Sequence, residues 1–180
     1  MNVGAIVGRR ATREPREPTW CLREIVMGAQ DNLTNVLAVV LGVAVGSGDL
    51  RTVALAGLVA GIAEAVSMAG VLYTATRAEE ALAAGLRRGP NPRDPVVSGA
   101  VTFAAAMAAA AIPLAPFALL PVRWAAAVSV VVSLGALFAL GSWTGALTRR
   151  SVWRDGVRFV TIGGLAAVAA ALVGAALRPS

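Results

Sequence analysis

Four side chains in this chain can hold a proton or a metal ion within sequence that is otherwise apolar. Asp31 and Asn35 interrupt the run REIVMGAQDNLTNVLAVVLGVAVGSG, and Glu64 and Met68 interrupt GLVAGIAEAVSMAGVLYTATRAEE. On a helix, Gly28, Asp31, Asn35, Ala38 and Gly42 recur at spacings of three and four and so share one side. The opposite side is Leu, Val and Ile. An ionised carboxylate near a bilayer centre costs about 2.5–3.5 kcal/mol even on the lenient insertion scale. The polar side is therefore expected to face another helix or a wet path, with small residues that let a second backbone approach. Gly57, Gly61, Glu64 and Met68, spaced by four, three and four, repeat the arrangement on the next apolar stretch, with Ser67 alongside. Acids on two successive stretches, each on a small-residue side, suit a cation or proton path. Carboxylates take protons and hard or borderline divalent ions, and a thioether adds preference for a softer transition metal over Mg2+ or Ca2+. The plainer alternatives are that Asp31 and Asn35 are satisfied polar glue or a helix cap, and that Met68 is packing.

The elements that must position these residues are membrane helices. Of 180 residues, 57% are hydrophobic and 14% charged, and the mean hydropathy is +0.72, too apolar for a soluble protein of this size. Residues 1–22 read as a polar cytoplasmic tail with Trp20 at headgroup level, its apolar start being too short for a signal peptide. Residues 23–180 read as one all-α integral membrane domain of five spans, at about 24–46, 50–76, 95–122, 124–147 and 156–177. Each exceeds the roughly 20 residues needed to cross the hydrocarbon. All sixteen basic residues are Arg. Thirteen lie in the tail with Arg23, between the second and third spans, and around 149–158, against only Arg51, Arg123 and Arg178 on the other side. That asymmetry puts the N-terminus in the cytoplasm and the C-terminus outside. It also makes the pI near 11.4 a matter of topology, so no nucleic-acid partner is expected. Arg as the only basic residue, with abundant Ala and Gly, points to a GC-rich bacterial genome and so to the bacterial cytoplasmic membrane. With no histidine and one cysteine, Cys21, disulfides and His or Cys zinc sites within one chain are excluded. A metal must be held by carboxylates, amides, carbonyls or Met sulfur. Pro113 and Pro116 are expected to kink the third span or end it early. Trp124, Trp143 and Trp153 read as interface anchors.

The run from Arg23 through Gly28, Asp31 and Leu33, then Ala63, Glu64, Ser67 and Met68 and the stretch from Tyr73 to Glu79, resembles the first two spans of the vacuolar iron transporter family. Thr102 and Phe103 with the stretch from Ile112 to Phe117 resemble its third span. Leu140 and Gly141, then Thr148 to Ser151 and Gly156 through Gly164, resemble its fourth span, connecting loop and fifth span. The match is collinear and covers nearly everything after residue 22. The resemblance implies a five-helix protomer in a two-fold homodimer, with a metal path between first and second spans along the dimer axis. It further implies export of Fe2+ or Mn2+ from the cytosol against protons. Asp31 matches the family's first-span aspartate and Met68 the methionine of its Ser-Met motif. A two-fold axis would set two carboxylates and two sulfurs around one ion.

The chain departs from that family in defined places. The family's long metal-collecting cytosolic domain is replaced by residues 77–94, the length of a simple loop, in which Glu79 and Glu80 are the candidates for receiving metal from the cytosol. The family's Gly-Glu-Tyr is here Val71-Leu72-Tyr73, and its Gly after the first-span aspartate is Asn32. Ala60 stands where eukaryotic members carry a glutamate, for which Glu64, one turn before Met68, is the candidate substitute. No dinucleotide glycine loop, P-loop lysine, nucleophile with a histidine base or HExxH is present, and no enzyme activity or resident cofactor is expected. The reading is a proton-coupled exporter of divalent transition metal, with Asp31 as pathway ligand or proton site, Glu64 as partner acid and Met68 as soft ligand. The alternative is a degenerate relative acting as a non-transporting membrane or partner-binding protein. A small drug or cation exporter would want an aromatic-lined cavity near its acid, and no tryptophan falls in mid-span.

Overall fold

The computed structural model describes residues 21–85 and 94–178. They form five helices: α1 (Leu22–Ser47), α2 (Leu50–Gly85), α3 (Pro95–Leu119), α4 (Val122–Leu147) and α5 (Val152–Ala176). Each is long and apolar enough to cross a membrane. The chain is a multi-pass all-α membrane protein. The expected tail, Trp20 and the loop arginines Arg87, Arg88 and Arg93 lie outside the described residues.

Helix limits follow from local chemistry. Asp94 Oδ1 accepts the amide hydrogens of Val96 at 2.8 Å and Val97 at 3.2 Å, and Pro95 begins α3 where its missing donor would be unpaired anyway. Asp49 Oδ2 accepts from the Thr52 hydroxyl at 2.6 Å and the Thr52 amide at 2.8 Å ahead of α2. Those two bonds hold its carboxyl below the ordinary 3.8. α1 stops at Gly48, whose φ of 65° is the left-handed conformation that glycine adopts without a Cβ clash.

The helices form an arc around α1. α1 packs against all four others, while α2 meets α3, α3 meets α4 and α4 meets α5. α2 and α5 share no comparable contact, so the arc is open between them. Most of the packing is achieved through small residues, which let backbones approach without a hydrophobic driving force from water. At the α1–α5 seam, a Cβ on Gly174 would run into the carbonyl of Gly42, and a Cβ on Gly42 would stand 3.0 Å from the carbonyl oxygen of Ala170. The apolar core gathers Val36, Val40, Ala44, Val53, Ala110, Phe117 and Ala125, with Leu33, Ala109 and Leu137 in a second cluster.

Two elements differ from expectation. α2 runs beyond Thr76 to Gly85, so the first half of the expected loop is helix. The segment RAEEALAAG is rich in Ala, Glu and Arg, which favour helix without help from packing. At about 1.5 Å per residue this helix outreaches the roughly 30 Å hydrocarbon layer, and Arg77, Glu79 and Glu80 ride on the excess. α3 passes through both prolines to Leu119 instead of breaking at them. Pro113 and Pro116 are buried, and Ser129 of α4 donates to the Pro113 carbonyl oxygen at 2.8 Å, tying α4 to this stretch of α3.

Candidate functional site

Asp31 of α1 and Glu64 of α2 come together. Their carboxyls are close enough to interact electrostatically, and Asn35 lies beside Glu64. Like charges in such contact repel unless a proton or a cation sits between them. Both acids and Asn35 are half-buried. The register that pairs them is set by interior contacts: the Asn32 amide donates to the Gly61 carbonyl, Gly61 packs on Val36, and Gly57 packs on Val40. Asp31 and Ala38 are only partly covered, and Met27 is 37% exposed, because no helix fills the arc between α5 and α2. Met68, half-buried, stands one turn beyond Glu64 on the same side of α2.

The glycines do something other than line that cluster. Gly28 abuts the Thr102 carbonyl of α3, where a Cβ would lie 2.6 Å from the oxygen. Gly42 meets α5, Gly57 meets Val40 and Leu114, and Gly61 meets Ala110 and Val36. Gly28, Gly42, Gly57 and Gly61, expected in helix packing at the pathway, seat α1 and α2 against each other and against α3 and α5 inside the protomer. Helical spacing groups residues by side, but a side is wide enough to touch two neighbours. Ser67 is exposed on α2 rather than packed between helices.

The VIT family model matches residues 22–90 and 80–175, which together take in nearly all of the five helices. The chain belongs to the VIT family. No curated protein matches it. Membership carries membrane metal-ion transport as the general activity, and the VIT family consists of transporters rather than enzymes. Among the described residues, no three or more His, Cys, Asp or Glu side chains cluster as a metal site. One VIT chain thus brings two acids, an amide and a thioether to the α1–α2 edge.

Two polar residues of this VIT chain were not singled out as site residues in the sequence. Asn32, read as a departure from the family's glycine, is fully buried and donates from Nδ2 to the carbonyl oxygens of Gly61 at 3.1 Å and Ala106 at 2.9 Å. It staples α1 to α2 and α3. Glu24, read only as a span boundary, is also fully buried and accepts from the Ser98 hydroxyl of α3 at 2.7 Å. Its place two turns before Asp31 on the same helical side is the sequence pattern that marks it. Its other oxygen, Oε2, and the Thr76 hydroxyl are buried without a hydrogen-bond partner among the described residues. Of the two acids expected to receive metal, Glu79 is paired with Arg23 Nη1 at 3.1 Å, and Glu80 is exposed.

Proposed function

We propose that this VIT protein exports Fe2+ or Mn2+, or both, from the cytosol in exchange for protons, along a path at the α1–α2 edge of a two-fold homodimer. The observation that carries the reading is the close approach of Asp31 to Glu64, beside Asn35, near the opening that the described helices leave between α2 and α5. An acid pair of this kind takes a divalent cation on deprotonation and releases it on protonation, which is the chemistry of exchange. Asp31 serves as ligand or proton site, Glu64 as partner acid and Met68 as soft ligand. A second copy across the opening doubles the donors, which favours a dimer by bringing them toward the roughly six that an octahedral divalent ion takes. The excess of Arg at one end of the bundle supports a cytoplasmic N-terminus, an external C-terminus and residence in a bacterial cytoplasmic membrane.

The rival reading, a non-transporting relative, draws on Glu79. That acid is engaged by Arg23, and Leu72, at the position of the family's motif glutamate, is fully buried core. The experiment that separates the two is Fe2+ and Mn2+ uptake into proteoliposomes of the purified protein under an imposed pH gradient, with Asp31→Ala beside wild type. Proton-driven uptake that the substitution abolishes is the expected result. Equal uptake by both proteins would remove Asp31 from the path, and absence of flux for either ion would favour the rival.

A further inference from the structure

The register of α1 against α2 places a second methionine one helical turn along from the acid pair. α1 and α2 run antiparallel, with Asn32 bonded to Gly61, Val40 against Gly57, and Asp31 against Glu64. One turn from Asp31 toward the Arg23–Glu79 ion pair is Met27, and one turn from Glu64 in the same direction is Met68. The two methionines therefore stand at one level, between the acids and that ion pair. Met27 is 37% exposed at the open edge and Met68 is half-buried. The other large apolar side chains exposed along the middle of α2, Leu55, Leu58, Val59, Ile62 and Val66, carry no sulfur. A thioether at each of the two positions flanking an acid pair is a donor set, not generic lipid-facing surface.

The geometry points to Met27 as a ligand that sets the metal preference of the path: with Met68 it converts an oxygen site into a mixed site of two carboxylates and two thioethers per chain. Thioether sulfur binds softer transition ions and contributes little to a hard ion held by oxygen. The cargo class that this arrangement selects is thus the softer divalent metals over Mn2+. The inference rests on the proposed path through Asp31 and Glu64.

The test uses full-length protein in proteoliposomes, with Mn2+ and Cd2+ as the hard and soft probes. Met27→Leu, Met68→Leu and Asp31→Ala are compared with wild type, Leu being close to Met in volume. Met27→Leu is expected to raise the KM for Cd2+ about tenfold while Mn2+ changes less than about twofold. X-ray absorption at the cadmium edge of the purified protein is expected to show Cd–S scattering that weakens in Met27→Leu and again on adding Met68→Leu. Unchanged selectivity and unchanged Cd–S scattering in Met27→Leu would overturn the assignment, as would equal losses for both ions, the mark of packing. Asp31→Ala keeps the two questions apart, because normal flux in that variant defeats the path itself. If neither ion moves, the absorption measurement alone decides: Cd–S scattering lost in Met27→Leu supports the assignment, and unchanged scattering overturns it.

Discussion

Asp31 and Asn32 are neighbours in sequence, yet they belong to different parts of the molecule. Asn32 points into the bundle, fully buried, and bonds two carbonyls on two helices. Asp31 stands on the partly covered side, against Glu64 and near the opening of the arc. The same contrast separates Glu24, sealed under Ser98, from Glu79, on the protruding end of α2 with Arg23. For Asp31 and Asn32, the helical rotation between adjacent residues is enough to leave one side chain at a partly covered edge and seal the other between helices.

The largest effects should fall on either side of that line. Asp31→Asn is expected to lower transport about a hundredfold while the purified protein keeps its melting midpoint. Asn32→Leu is expected to do the reverse, costing about 1–3 kcal/mol of stability in reversible unfolding from detergent while the flux per folded molecule persists. Loss of flux in a well-folded Asn32→Leu protein would merge the two sides. A smaller effect is expected from Glu64→Gln, which removes one titrating group from the acid pair and should flatten the dependence of flux on the imposed pH gradient. An unaltered pH profile would leave Asp31 to act alone. Glu79→Gln breaks a half-exposed ion pair and should cost less than about 1 kcal/mol, an effect that salt diminishes.

The smallest difference is expected at Asp49. Its carboxyl titrates below the ordinary value of 3.8 because the Thr52 hydroxyl and amide bond its charged form. The folded pKa is lowered, so the stabilisation is complete above 3.8 and is lost as pH falls through the folded value. Asp49→Ala should therefore lower the melting midpoint slightly at neutral pH and converge with wild type in strong acid. A constant difference at every pH would assign the effect to helix capping geometry rather than to charge.

The places where expectation and structure part have physical causes in particular residues. α2 extends because RAEEALAAG forms helix on propensity alone, whereas span limits read from hydropathy end where the apolar residues end. α3 continues through Pro113 and Pro116, both buried against neighbouring helices, with Ser129 of α4, sixteen residues away, bonded to the Pro113 carbonyl, a packing that no local rule contains. Gly42 was placed with Asp31 by spacing, and it does share that side, but α5 occupies the near edge of the side and takes the glycine.

What the sequence determined by itself is what depends on local order. The lengths of apolar runs produce five spanning helices, and the spacing of Asp31 and Asn35, and of Glu64 and Met68, puts each pair on one helical side. What only the tertiary structure decided is which neighbour each side meets. The way α2, α3 and α5 settle around α1 seals Asn32 and Glu24, brings Asp31 near Glu64, and sets the antiparallel register in which Met27 and Met68 each lie one turn from that pair. Those angles arise from backbone approach at glycines and from hydrogen bonds between helices far apart in the chain, so they are properties of the packed bundle and not of any one segment.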